Sequence, residues 1–361
     1  MKCMSKLAIY CYHTESEWWD GHLTQGSAGS EEAVVEVARR LATRDWQVEV
    51  YNNCGAQKRI VNGVTYIPIT DLLSYRADSP KEVTILWRKP QMCDYSVNTV
   101  KKYLWLQDVV HDEELSTTRL ASLDKIIAIS KYQRSLWPNV PDAKVFHSSN
   151  GISVTELEKF RSQYTCIKRN QKKCIYTSAP DRGLECLLKL WPAILGRVSD
   201  AELHVFYGWK FWDGLYSRDL NKLAWKRQML SLLCQPGVMT PYTYKTSADL
   251  WIEYLTSGVW LYPTEWPETS CISAMKAQAC GAFPATTSFA ALSETVIYGT
   301  RVHVTDIYEN EQAQQDLIDA VVQHIERPDE ADREDMMYQS LQRFSWDRVV
   351  EKLDDELRRK A

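Results

Sequence analysis

Two doubly wound α/β domains, each a parallel sheet wrapped by helices, are what this sequence predicts. Three observations predict them. Short apolar runs of strand length alternate with stretches of helical periodicity. The alternation breaks off in a polar, basic stretch around residues 158–173 and then restarts. The length, 361 residues, suits about two domains at roughly 150 residues each.

The elements follow in order. Residues 6–12 (KLAIYCY) read as a buried strand. A polar, aromatic loop follows. Residues 31–44 then place Val34, Val37, Ala38, Leu41 and Ala42 at the spacing of one helix face, with Ser30 as a candidate cap. Residues 46–51, 83–87, 102–106 and 125–129 are further strand-length runs. Asn150-Gly151 is a turn signal, and the boundary is placed at 160/161, giving domains 1–160 and 161–343.

In the second half, 173–177 is a strand and 183–195 a helix with an internal Pro192. Residues 202–207 form a strand, 217–234 are helical, and 246–256 form a helix opening on Thr-Ser. A strand at 259–262, a helix at 270–279 and a strand at 283–286 come next. The tail reads as two charged amphipathic helices broken near Phe344-Ser345-Trp346. Ligands of such folds bind at the carboxyl ends of strands, where loops enter helices.

Composition bounds the function. With 45% hydrophobic and 25% charged residues the chain is an ordinary globular one. A net charge of −4 makes nucleic acid an unlikely partner for the whole chain, though a local basic patch stays open. The aromatic set is unusual, with 14 Trp and 19 Tyr against 7 Phe. Trp and Tyr pair an apolar body with a polar handle and so serve wet clefts as well as cores. Ten scattered cysteines form no C-x-x-C pair, which argues against zinc. No signal-like or 18-residue apolar run is present. The expectation is a cytoplasmic protein, with peripheral attachment at the inner membrane face left open.

Chemistry concentrates in residues 262–284, YPTEWPETSCISAMKAQACGAFP. A strand ends at Tyr262, a loop carries Glu265 and Glu268, and Thr269-Ser270-Cys271 opens a helix. The unpaired N–H groups of a helix start attract anions, and a carboxylate before it accepts from hydroxyls. Together they suit a nucleotide sugar. An ordinary cap followed by a buried helix satisfies the same residues.

This stretch resembles the E-x7-E region of retaining glycosyltransferases of the GT-B fold, especially glycosyltransferase family 4. Pro263-Thr264 and Glu268-Thr269-Ser270-Cys271 match its first half, and residues 276–284 (KAQACGAFP) its second. The resemblance implies two Rossmann-like domains with an interdomain cleft, and a closing helix at 344–361 that crosses back to the first domain. It implies that Glu268 binds donor-sugar hydroxyls and that the amides of Thr269, Ser270, Cys271 and Ile272 hold sugar and phosphate. The family's second Glu, which holds the ribose, is here Lys276. Lys cannot accept hydrogen bonds from ribose hydroxyls. Either the ribose is held otherwise, or Lys276 meets a phosphate, or donor binding is weaker.

Other segments are similar to the same family. Gly29 and Glu31 match its glycine-rich loop and helix, with Ala28 replacing the first Gly. Arg182-Gly183 resembles the loop that supplies a cation to the donor diphosphate, where a planar guanidinium donates two hydrogen bonds at once. Residues 105–111 (WLQDVVH) resemble its His-Asp strand end. Asp108 fits there, and His111 is either a catalytic group one turn on or a structural one.

The implied reaction moves a sugar from a UDP- or GDP-type nucleotide-diphosphate sugar to a hydroxyl of a glycan, lipid-linked sugar or other acceptor, with retention. No cofactor is implied, and no Asp-x-Asp pair offers a metal site. Glu15, Trp18, Trp19 and Asp20, in the loop after the first strand, are candidates for acceptor binding; aromatic packing of a long loop is the other reading. Rival functions are a fold-sharing binding protein without turnover, a nucleotide-sugar epimerase, or a transferase acting on a modified nucleic-acid base.

Overall fold

Side-chain alternation in β1 (Ser5–Cys11) shows why the first sheet is central rather than a surface layer. Leu7, Ile9 and Cys11 enter one apolar cluster, while Ala8 enters a second with Tyr10. A strand buried on both faces is what a helix-wrapped parallel sheet requires. The computed structural model describes residues 4–12, 14, 16–21, 29–69, 80–164, 166–240 and 247–359. It divides into two compact units, residues 1–153 with 344–361, and residues 154–343. The division falls after Ser153, ahead of the expected 160/161.

Unit 1 adds β2 (Trp46–Asn52), β3 (Arg59–Val61), β4 (Val64–Pro68), β5 (Lys81–Trp87), β6 (Thr99–Trp105), β7 (Lys125–Ala128) and β8 (Val145–His147). Their order is β3-β4-β2-β1-β5-β6-β7-β8. All pairs are parallel except β3–β4, a hairpin in register Val61↔Val64. Its two-residue turn is Asn62-Gly63 with φ of 48° and 78°. That dipeptide adopts the doubly left-handed turn that matches strand twist, a signal the strand reading above passed over.

The helices of unit 1 are α1 (Gly29–Ala42), α2 (Thr117–Ala121) and α3 (Lys131–Ser135). Helix α1 starts at Gly29, so Ser30 lies inside its first turn, where its hydroxyl donates to Glu31 at 2.8 Å. The expected cap is therefore displaced.

Unit 2 holds α4 (Val154–Gln163), β9 (Asn170–Tyr176), α5 (Leu184–Arg197), β10 (Glu202–Val205), α6 (Lys210–Tyr216), α7 (Leu220–Leu232), β11 (Val238–Met239), α8 (Ser247–Thr256), β12 (Ser257–Tyr262), α9 (Ile272–Ala279), β13 (Phe283–Thr287), α10 (Leu292–Thr295), β14 (Thr300–Val302), α11 (Glu311–Glu326) and α12 (Glu330–Arg343). The sheet order is β11-β10-β9-β12-β13-β14, parallel throughout. This is the 3-2-1-4-5-6 order of a Rossmann-type sheet, and its strand order reverses between β9 and β12.

The closing helix α13 (Trp346–Arg358) belongs to unit 1. Trp346, Val349, Val350, Leu353 and Leu357 complete the cluster around Leu7 and Ile9. Ile152 bridges Ser345 in parallel, with the Ile152 N–H on Phe344 O at 2.7 Å and the Trp346 N–H on Ile152 O at 3.1 Å. The Trp46 indole N–H donates to Asp354 at 2.6 Å, and Arg40 Nε to Asp347 at 2.7 Å. Among the described residues no helix is long and apolar enough to cross a membrane.

Candidate active site

Two loops leave the reversal point of the unit 2 sheet. One runs from β9 to α5 and carries Ser178–Gly183; the other runs from β12 to α9 and carries Pro263–Cys271. Gly183 lets them meet. It caps α5 at φ +103°, and a Cβ there would stand 2.1 Å from the Pro263 carbonyl oxygen. Only glycine tolerates both the backbone angle and the approach.

The contact brings Arg182 to Glu268, Nη1 to Oε1 at 3.5 Å. Trp266 lies under the guanidinium, 4.6 Å from ring centre to Cζ, and is itself 39% exposed. Burial works to discharge Arg182, but Glu268 together with Tyr262, Tyr207 and Asp181 outweighs it and holds its pKa above the ordinary arginine value. Tyr262, the last residue of β12, donates its hydroxyl to Glu268 Oε1 at 2.6 Å and accepts from Ser178 at 3.2 Å. Burial, reinforced by Glu268, pushes the Tyr262 hydroxyl well above its usual pKa, so it stays a donor. The loop backbone is fixed as well, because the Ala291 N–H donates to the Glu268 carbonyl at 3.0 Å.

Helix α9 starts at Ile272, two residues later than expected, and Cys271 at its N-cap supplies no side-chain cap. The side chain facing its first amides, at Ser273 and Ala274, is the Cys271 thiol, a weak acceptor. Ser270 is 9% exposed and its hydroxyl is buried without a partner, as is Arg182 Nε. Buried polar atoms are normally paired, and these two lie on the two loops that meet here. Thr269 and Cys271 are buried too. Burial, with Glu268 adding to it, raises the Cys271 thiol well above its normal pKa, so it is no nucleophile.

The far end of α9 is moored by three arginines. Arg161 donates to Ala279 O at 2.7 Å, Arg169 to Cys280 O at 2.8 Å, and Arg333 to Gly281 O. Cations at a helix C-terminus complement its dipole. Lys276 lies along α9 with its ammonium 5.4 Å from the Trp251 ring of α8.

No family model matches the sequence, and no curated protein matches it. Solved structures do. A sucrose-phosphate synthase from Thermosynechococcus elongatus superposes with a TM-score of 0.66 at 13% identity, covering 98% of both chains. A UDP-forming α,α-trehalose-phosphate synthase from Burkholderia vietnamiensis gives 0.71 at 10% identity, over 98% of this chain and 97% of that one. HepE from Anabaena, in complex with UDP-glucose, gives 0.64 at 11% identity, over 97% and 99%. The likeness runs through both units.

The fold is GT-B.

In this GT-B chain the residues expected in unit 1 are placed less uniformly than those in unit 2. Gly29 is the first residue of α1. Glu31 is 7% exposed, and burial raises its pKa against the pull of Arg88. Asp108 pairs with Arg88 Nε at 2.8 Å and Lys89 Nζ at 3.1 Å. Burial opposes its ionisation, but these two cations prevail and lower its pKa. His111 is an exposed residue at the start of a single 3₁₀ turn, its N–H on Glu114 at 3.2 Å. The structure brings Asp108 to Arg88 and Lys89 rather than to His111.

The acceptor candidates divide. Trp18 is 3% exposed, packed 5.7 Å from Trp87, with its indole N–H on Thr14 at 2.9 Å. Of the two readings open for this ring, packing of the loop is the one its burial fits. Asp20 is buried and accepts from Asn62 at 2.7 Å, so its carboxylate braces the β3–β4 turn. Trp19 is half-buried under the Arg59 guanidinium at 4.0 Å. Glu15 lies outside the described residues, as does Ala28. Sequence reasoning missed Tyr262, Trp266, Arg88 and Lys89. Tyr262 and Trp266 stood inside the singled-out loop, and their residue types were the available signal.

Proposed function

We propose that this chain is a cytoplasmic glycosyltransferase, moving a sugar from a nucleoside-diphosphate sugar to an acceptor hydroxyl with retention at the anomeric carbon. One observation carries the reading. At the reversal point of a Rossmann sheet, Arg182, Glu268 and the uncapped start of α9 converge, with Ser270 Oγ and Arg182 Nε buried and unpartnered. Two phosphate groups would give both orphan atoms an acceptor.

In this reading the α9 amides and Arg182 hold the diphosphate and stabilise the charge that grows as the anomeric C–O bond breaks. Glu268, one oxygen held by Tyr262, turns the other to sugar hydroxyls. The acceptor oxygen bonds to the anomeric carbon on the face the diphosphate leaves, and its proton passes to the departing β-phosphate oxygen. The HepE structure, which contains UDP-glucose, supports a uridine donor as the first to try.

The test is incubation with labelled UDP- and GDP-sugars, following diphosphate release. Turnover is expected, and Glu268→Ala and Arg182→Ala should each remove most of it, about 10²-fold or more. Two fully active variants would sink the assignment. Lys276 favours a second reading, a binding protein that retains donor affinity without turnover; it predicts UDP binding but no release with any sugar.

A further inference from the structure

In the site proposed above, Arg182 is the cation that meets the diphosphate, yet little that is polar holds it in place. Among the described residues the one polar partner of its guanidinium is Glu268, at 3.5 Å, longer than a well-formed hydrogen bond. Nε is buried with no partner, while 35% of the side chain stays exposed. A single long contact at Nη1 leaves the plane of the fork free to turn. Arginine recognises phosphate with its plane fixed, because two parallel N–H groups must face two oxygens at once.

The constraint that is missing from the polar contacts is aromatic. The guanidinium carbon lies 4.6 Å from the centre of the Trp266 ring, within the range where a cation is held over an aromatic face. The ring stands on a braced turn. The Trp266 N–H donates to Thr264 Oγ1 at 2.9 Å, and the Trp266 carbonyl accepts from the Glu268 N–H at 2.7 Å. The Thr264 carbonyl accepts from Thr287 Oγ1 at 2.7 Å, which ties the turn to β13. Glu265 Oε1 accepts from the Tyr308 N–H at 3.0 Å. None of these bonds involves the indole, which is 39% exposed. The turn is therefore held without the ring, and what the ring covers is Arg182.

We infer that Trp266 is a positioning residue: its indole face fixes the plane of the Arg182 guanidinium, so that Nε and a neighbouring Nη meet the donor diphosphate together. It acts on the ligand through that arginine alone. That the ligand is a diphosphate rests on the donor reading of this site; the hold of the ring on the guanidinium does not.

The test is a double-mutant cycle on the full chain, titrated with UDP and with inorganic diphosphate by calorimetry. Trp266→Leu should weaken both ligands roughly tenfold in the wild-type background. In the Arg182→Ala background it should change neither, because the group it acts through is gone. Trp266→Phe keeps an aromatic face and should restore most of the affinity, with urea midpoints showing that all variants fold. A ring with a merely structural role would give the same loss in both backgrounds, and Phe would do no better than Leu; either result overturns the inference. So does a Trp266→Leu variant of unchanged affinity beside an Arg182→Ala variant that binds poorly, and the donor reading then stands. A wild type that binds neither ligand, or an Arg182→Ala variant that binds both normally, overturns the donor reading and the inference with it.

Discussion

Tyr262 donates its hydroxyl to Glu268 Oε1 at 2.6 Å from a ring that is 1% exposed. One oxygen of the carboxylate is thereby committed to the protein. Tyr262→Phe keeps the buried ring and removes only the donor. Losing one hydrogen bond to a charged group costs about 1.5–3 kcal/mol, so kcat/KM for the donor should fall roughly 10- to 100-fold. Steady-state kinetics with the best nucleotide sugar, beside a thermal melt showing an intact fold, checks this.

Gly183 is the hinge of the two site loops. Gly183→Ala meets both a left-handed φ and the Pro263 carbonyl at 2.1 Å. The expected outcome is a stability loss of about 1–3 kcal/mol together with weaker UDP binding, because Arg182 moves with its neighbour. Urea denaturation and UDP titration measure the two effects on one sample.

Lys276 stands where the glycosyltransferases that this stretch resembles carry a carboxylate, and it lies 5.4 Å from the Trp251 ring. Lys276→Glu should cost about 0.5–1 kcal/mol of cation–π contact and strengthen binding of a ribose-containing nucleotide. Affinities for UDP and for inorganic diphosphate, compared between variants, separate a ribose effect from a phosphate one. Unchanged affinity and donor choice would remove position 276 from the site.

His324 stacks on Phe283 at 4.8 Å, accepts or donates at Thr300 Oγ1 at 3.1 Å, and has its pKa pushed down to about 4 by burial and then by Arg333. The folded state keeps the ring neutral while the unfolded chain binds a proton near 6.5. Stability should therefore fall as pH drops from about 6.5 to about 4, by up to roughly 3 kcal/mol, and level off below. His324→Gln should flatten that part of the difference curve, read as urea midpoints against pH.

Sheet and helix patterns were legible because burial on both faces makes β1 a continuous apolar run, while α1 carries its apolar residues at a period of 3.6. The unit 2 loops were legible because a strand end, a carboxylate and a helix start follow one another in sequence. Trp18 was left between two readings for a different reason. Nothing local to residue 18 reveals that it packs against Trp87, sixty-nine positions on. Tyr262 looked like one more apolar strand residue, since its function depends on a partner six residues away around a loop. Arg88 carries an angle that no residue type announces.

The parallel bridge between Ile152 and Ser345 means that the polypeptide departs from and re-enters unit 1 at one spot. Genetically, then, the second half is a cassette. Excising codons 154–343 and splicing the ends with a short peptide would leave the Leu7–Trp346 core whole, whereas stopping translation at residue 343 would strip that core of Trp346 and Val350. Anyone cutting this gene into separately expressed pieces should make the first piece from both ends of it.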